Sequence, residues 1–88
     1  MNNTIKKNIY TSLKDVELGK SCRVTSLDVE GILRRRFLDL GLINGTIVKA
    51  LNKSPSGDPI AYLIRGAVIA IRSEDASKII VETINEGV

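Results

Sequence analysis

The sequence predicts a mainly β fold with one inserted α-helix. Apolar residues recur at helical spacing over one segment only, near residue 30, and the later segments follow the spacing of two that is typical of strands. An apolar fraction of 43%, rich in Ile, Leu and Val, is enough for one core in a chain of 88 residues. We therefore expect a single domain over residues 11–84, between a flexible N-terminal arm at 1–10 and a frayed tail at 85–88.

The first expected elements are a short helical turn over residues 13–17 and a strand over residues 21–26. In that strand Cys22 and Val24 share one face, because alternate residues of a strand point the same way. The shared face is apolar, so we expect Cys22 to be a small buried residue rather than a reactive thiol.

The helix follows this strand. Asp28 can cap its start, and Gly41 can end it in the left-handed conformation. Leu27, before the cap, would pack on Ile32. The side chains expected on the core side of the helix recur at helical spacing: Val29, Ile32, Leu33, Phe37 and Leu40.

Four more strands are expected after the turn dipeptide Asn44-Gly45, over residues 46–52, 60–65, 67–72 and 78–83. Arg65-Gly66 permits a tight hairpin between the second and third of these. With the strand at 21–26 they make about five short strands around one helix. That pattern indicates a strongly bent antiparallel sheet that closes into a small barrel of the SH3 type.

The composition offers few groups for catalysis or for binding transition metals. The chain has no His, which is the usual general base near neutral pH and a common metal ligand. Cys22 is the only cysteine, so neither a thiolate cluster nor a disulfide framework can form. No glycine-rich phosphate loop occurs. We therefore expect a binding protein rather than an enzyme, with no cofactor and no metal site.

The cellular compartment is expected to be the cytoplasm. The single cysteine fits a reducing environment, and no stretch approaches the roughly 20 apolar residues that span a bilayer.

Charged residues supply the candidates for partner binding. Arg34 and Arg35 stand on the outer side of the helix, where they can form ion pairs with Glu30 and Asp39 or contact a partner. Asp58 lies in a loop, where it can face a partner or form an Asx-type turn.

Two segments, LRRRFLDLGLINGT at 33–46 and SGDPIAYLIRGAVIAIR at 56–72, together resemble the FeoA family of bacterial ferrous iron transport accessory proteins. The resemblance extends from about Leu13 to Val81, and Asn44 departs from it, because the family often has Pro there. The positions that carry it are Leu13, Gly19, Arg36, Leu38, Asp39, Leu40, Gly41, Gly45, Gly57, Asp58, Pro59, Gly66, Arg72, Ala76 and Ile79.

The resemblance implies an SH3-like barrel, in agreement with the pattern of strands, and a partner. That partner is FeoB, the membrane ferrous iron transporter with a cytosolic GTP-binding domain, and membrane contact would occur only through it. The residues expected to bind the partner are Arg34, Arg35, Asp58 and Arg72. The residues expected to serve turns and caps are Gly41, Gly45, Gly57, Pro59 and Gly66, and Leu38 and Leu40 are expected in the core.

Two other hypotheses stay open. The sequence is also similar to the C-terminal SH3-like domain of repressors of the diphtheria toxin repressor type, which would make it a divalent-metal-sensing or regulatory domain. Nucleic-acid binding through the arginine run would show a steep salt dependence. We expect no nucleic-acid partner, because Phe37, Tyr10 and Tyr62 are the only aromatic residues on which bases could stack. The sequence does not decide whether the chain self-associates.

Overall fold

The computed structural model describes residues 9–84, and the remainder of the expected arm and the tail at 85–88 lie outside them. The mainly β fold is confirmed. A 3-10 turn, Leu13–Asp15, occupies the start of the expected helical turn. The strands and helices are β1 Tyr10–Ser12, β2 Ser21–Leu27, α1 Gly31–Asp39, β3 Ile47–Lys53, β4 Ile60–Ile64, β5 Ala67–Ile71, α2 Ser73–Ala76 and β6 Ile79–Thr83.

The described strands form one antiparallel sheet of six strands in the order β1-β6-β2-β3-β4-β5. The five expected strands are all present, and β1 is an addition that begins at Tyr10, within the segment expected as an arm. Register shifts in β2 after Val24 and in β3 after Ala50 mark bulges, which bend a sheet. The bent sheet approaches a barrel but stays open, because β1 and β5 do not pair with each other.

The core packs against one face of the sheet, since alternate residues of β2, β3, β4 and β6 are buried. Its largest side chain is Tyr62, fully buried, whose hydroxyl donates a hydrogen bond of 3.4 Å to the carbonyl oxygen of Leu13. Cys22 is also fully buried, as expected, and its thiol contacts the carbonyl oxygen of Val48 at 3.5 Å. Burial raises the pKa of the Cys22 thiol to about 11. The other buried apolar residues are Leu13, Val24, Phe37, Leu42, Val48, Ala50, Ile60, Ile64, Ile71, Ala76, Ile79 and Val81.

The start of α1 differs from the expectation. Asp28 does not cap the helix; its backbone N–H donates to the carbonyl oxygen of Lys78 at 2.7 Å, which keeps the chain extended beyond β2. The helix begins at Gly31, and Glu30 occupies the cap position without a side-chain hydrogen bond. Ile32 is therefore 81% exposed, so the predicted packing of Leu27 on Ile32 is wrong.

A narrow stripe of α1 faces the core. Leu33, Phe37 and Leu40 are spaced by four and three residues, which places them on one side of the helix. Leu38 lies about 100° away from Phe37 around the axis and is 41% exposed, so its expected place in the core is wrong.

The end of α1 is built around Gly41. Gly41 has φ +94° and donates to the carbonyl oxygen of Leu38, while Leu42 donates to that of Phe37, the Schellman arrangement. The side chain of Arg65 lies against Gly41, where a Cβ atom would overlap its Cδ atom. The hydroxyl of Thr46 donates to the carbonyl oxygen of Gly41 at 2.7 Å, which ties the helix end to the start of β3.

Candidate docking surface

The arginine run of α1 stands in solvent. Arg34, Arg35 and Arg36 are all exposed, and Arg34 and Arg35 border one shallow depression with Leu38 and Asp39. Neither of the expected ion pairs with Glu30 and Asp39 is present, since the one salt bridge within residues 9–84 joins Arg23 to Glu82 at 2.9 Å. The guanidinium of Arg34 instead donates a long hydrogen bond of 3.3 Å to the carbonyl oxygen of Leu27. These arginines are thus free of carboxylate partners within the described chain.

Exposed aliphatic side chains surround these arginines. Arg34 and Leu38 also line a groove between α1 and β2, which continues along the chain to Ile43. Ile43 is 48% exposed, and Ile32 near the start of the helix is more exposed still. We call the surface formed by Ile32, Arg34, Arg35, Leu38 and Ile43 the α1 face.

A second groove runs between α1 and the edge strand β5. Its residues are Leu33, Arg36, Phe37 and Leu40 from α1, with Ala70, Ile71, Arg72 and Asp75 from the other side. Arg72 therefore lines the same groove as Arg36 and does not border the depression beside Arg34 and Arg35. Arg36 was not among the residues expected to bind the partner. The available signal was its place one turn after Leu33 and one turn before Leu40, at the border of the core stripe.

Asp58 is engaged within the domain. Its Oδ1 atom accepts a hydrogen bond of 2.7 Å from the backbone N–H of Ser73, the first residue of α2. A carboxylate at this place satisfies a free N–H group and the positive end of a helix. Because Arg72 directly precedes Ser73, the contact also fixes the backbone beside Arg72.

The loop that carries Asp58 is held by short-range bonds. Gly57, with φ +93°, donates from its N–H to the carbonyl oxygen of Ser54 at 2.7 Å. The hydroxyls of Ser54 and Ser56 both donate to the carbonyl oxygen of Asp58, and the bond from Asp58 to Pro59 is cis.

Between 9 and 84, the chain brings together no group of three or more Cys, Asp or Glu side chains that could hold a metal ion. In the same range, no helix is long and apolar enough to cross a membrane.

The bent sheet of six strands, with α1 lying beside its open edge, defines a small domain of the SH3-like class. Residues 11–83 match the model of the FeoA domain, which is most of the chain. The protein belongs to the FeoA family.

One relative is named as a fusion of a transport protein A with the transporter FeoB. The chain is 30% identical, over 73 residues, to the Fe(2+) transport protein A/Fe(2+) transporter FeoB fusion protein of Porphyromonas gingivalis. The match covers 83% of this chain but only 9% of the fusion protein.

Solved structures of FeoA proteins show the same fold. The FeoA-like protein of Clostridium acetobutylicum is similar with a TM-score of 0.81 and 32% identity, covering 94% of each chain. The FeoA of Stenotrophomonas maltophilia complexed with zinc, described as a prokaryotic SH3 domain protein, gives a TM-score of 0.73 and 27% identity, covering 81% of this chain and 88% of that one.

The fold also occurs as one part of a longer protein. The structure described as T. acidophilum IdeR gives a TM-score of 0.76 at 18% identity, covering 92% of this chain and 37% of that one. At this identity the likeness concerns the fold alone.

Proposed function

We propose that this protein is a cytosolic accessory module of bacterial ferrous iron uptake that binds and modulates the FeoB transporter. The observation that carries the proposal is the relative in which a homologous domain is fused to FeoB. Fusion holds two domains at a high effective concentration, which favours contact between them. Where the same two domains are separate chains, we expect them to bind each other.

The α1 face is the proposed docking surface. Arginine and large apolar side chains are enriched at protein interfaces, and the α1 face combines Arg34 and Arg35 with three exposed aliphatic residues. Arg72 would contribute from the neighbouring groove. We assign Asp58 a positioning role, because its carboxylate already holds the N–H of Ser73.

The polar groups of the core favour action by binding. Cys22 and Tyr62 are the two described groups whose pKa shifts, and burial raises both. Each therefore keeps its proton at neutral pH, so neither a thiolate nor a phenolate nucleophile is available in the core.

The docking prediction is tested by titrating full-length FeoB from the same bacterium, in nanodiscs, with this protein. We expect binding in the micromolar range or tighter, and at least a tenfold loss of affinity in the double variant Arg34→Glu, Arg35→Glu, because both guanidinium groups would be replaced by charges of opposite sign.

The matched control is the double variant Lys14→Glu, Lys20→Glu, which makes the same change of charge at two other exposed residues. It should bind within about twofold to threefold of the wild type if attraction is local rather than due to net charge. Absence of binding by the wild type at micromolar protein would remove the proposal. Equal losses in both double variants would remove the assignment of the α1 face.

The alternative function is a divalent-metal-sensing or regulatory domain similar to the C-terminal domain of diphtheria toxin repressor-type regulators. The likeness to IdeR supports a shared fold, but at 18% identity it does not assign a metal site to this chain. Anaerobic calorimetry with Fe²⁺ separates the hypotheses, since a tight stoichiometric site would favour the alternative.

A further inference from the structure

Strand β5 is an unpaired edge with unusual composition. It pairs with β4 on one side only and ends the sheet. Its five residues, AVIAI, carry no charge and no proline, the usual devices that protect an edge from pairing with another strand. Val68 is 67% exposed. The edge is thus open to addition of a further strand.

The hairpin turn determines which backbone groups point outward. A two-residue turn at Arg65-Gly66, both with positive φ, makes Ile64 and Ala67 a hydrogen-bonded pair. Pairs alternate in an antiparallel ladder, so the N–H and C=O groups of Val68 and Ala70 point away from β4. Among the described residues, no other backbone group bonds to them.

The groove between α1 and β5 runs beside these free groups. Leu33, Phe37 and Leu40 form an apolar wall on the helix, and Ile71 continues it on the strand. The groove encloses about 230 Å³. That volume is below the range of ordinary small-molecule sites, and it suits a side chain projecting from an extended segment.

The charges of the groove favour an acidic occupant. Arg36 and Arg72 lie on its two sides, and Asp75 is the one carboxylate among its residues. Within residues 9–84, neither arginine has a carboxylate oxygen within 4.0 Å of its guanidinium nitrogens. Two guanidinium groups facing one groove can each take a carboxylate in a paired hydrogen bond.

We propose that an extended acidic segment of the transporter adds to β5 as a seventh strand and places its carboxylates on Arg36 and Arg72. Its backbone would bond to Val68 and Ala70, and an apolar side chain would enter the groove beside Phe37. This inference rests on the proposed function and names a docking element of FeoB.

The first test needs no variant. Hydrogen exchange of this protein is followed by mass spectrometry, with fragmentation that resolves β5, before and after addition of full-length FeoB in nanodiscs. We expect the amides of Val68 and Ala70 to exchange at least tenfold more slowly in the complex, because each would donate to the added strand. Binding without a change at these two amides would overturn the proposal.

The second test distinguishes binding through the backbone N–H of Val68 from binding through its side chain. Val68→Pro removes an outward N–H without removing a bond to β4, and proline is tolerated on edge strands. We expect it to weaken FeoB binding at least tenfold, whereas Val68→Thr, which keeps the N–H, stays within about threefold. Equal affinities of the two variants would contradict strand addition.

The third test concerns charge. Arg36→Gln with Arg72→Gln should lower affinity at least tenfold, because each carboxylate would lose its charged partner. Lys14→Gln with Lys20→Gln is the control for net charge and should stay close to the wild type. Equal losses in the two double variants would overturn the role of the groove.

The outcomes distinguish the two proposals. If the wild type does not bind FeoB, the proposed function fails and this inference with it. If binding is retained by Val68→Pro and by the arginine variant, the groove assignment alone fails. If the two β5 amides become protected with rising concentration of this protein alone, a second copy occupies the edge and the assignment to FeoB is overturned.

Discussion

At the scale of single residues, Gly41 shows how one position serves two constraints. Its backbone has φ +94°, and the side chain of Arg65 fills the space where a Cβ would stand. Gly19 has nearly the same φ, +89°, but nothing lies within 4 Å of its Cβ position. Alanine at Gly19 would bear only the free-energy cost of the left-handed backbone. Alanine at Gly41 would bear that cost and also a steric overlap with Arg65.

We expect Gly41→Ala to lower the free energy of unfolding by more than Gly19→Ala. Each alanine bears about 1–2 kcal/mol for the left-handed conformation, and the one at 41 also displaces Arg65. Urea unfolding of both variants measures the difference. In an Arg65→Ala background the excess should vanish. If Gly41→Ala and Gly19→Ala lower the free energy of unfolding equally in the native background, the contact between position 41 and Arg65 does not contribute.

Arg36 and Arg72 acquire a possible joint binding role only through the fold. In the sequence they stand 36 positions apart, and the structure places them beside one groove. The adjacency depends on β5 lying next to α1, a long-range arrangement that the residue types do not encode locally.

At the scale of elements, helix α2 depends on a loop distant in sequence. It has only four residues, and no side chain at its own cap position bonds to it. The carboxylate of Asp58 supplies this bond from the loop before β4. The loop and α2 therefore form one unit, and Arg72 lies at their junction.

We expect Asp58→Ala to destabilise the domain by about 1 kcal/mol, the usual cost of losing a helix cap. Asp58→Asn keeps an oxygen acceptor and should cost only a few tenths of a kcal/mol. Thermal unfolding of the two variants provides the measurement. If the two substitutions prove equally costly, the hydrogen bond to Ser73 is not the source of stability.

The apolar spacing in helix α1 predicted most, but not all, of the side chains that face the core. Leu33, Phe37 and Leu40 face the core as their spacing indicates. Ile32 was expected on the same side, but it lies about 100° from Leu33 around the helix axis, on the side away from Phe37. The start at Gly31 leaves nine residues, enough for one narrow apolar stripe, and Ile32 falls outside it.

At the scale of the whole molecule, the bent sheet packs around one core of buried side chains. Cys22 and Tyr62, two of its fully buried side chains, are ionisable. Burial raises the pKa of both groups, because the charged form of either would be held away from water. Both therefore keep their protons to a higher pH than they would in solvent.

We expect the free energy of unfolding to fall as the pH rises from about 9 towards 11. The thiol of Cys22 ionises near 9.0 when unfolded and near 11 when folded, so in this range the folded state binds more protons. The slope from this group is at most about 1.4 kcal/mol per pH unit. The raised pKa of Tyr62 acts in the same direction above the ordinary range of a tyrosine.

Urea unfolding at several pH values, with Cys22→Ala as the comparison, measures this slope. The variant should lose stability less steeply over the same range, while the contribution of the lysines is common to both proteins. Parallel curves for the two proteins would show that Cys22 does not ionise on unfolding as described.

The openness of the barrel decides which surfaces are available. A closed barrel would have paired β5 and left the α1 face as the main docking surface. Because β1 and β5 are both edges, backbone groups as well as side chains can bind a partner.

The amino-acid sequence by itself determined helix α1, the strands β2 to β6, their order and the turns between them, but not the edge strand β1. Strand-forming runs, the turn at Arg65-Gly66 and the helix stop at Gly41 are local properties, because backbone preference and apolar spacing act over a few residues. The tertiary structure alone decided that Arg36 and Arg72 line one groove, that Asp58 reaches Ser73 and that β5 remains an edge. These outcomes depend on contacts between distant segments, which form only when the whole sheet bends around its core.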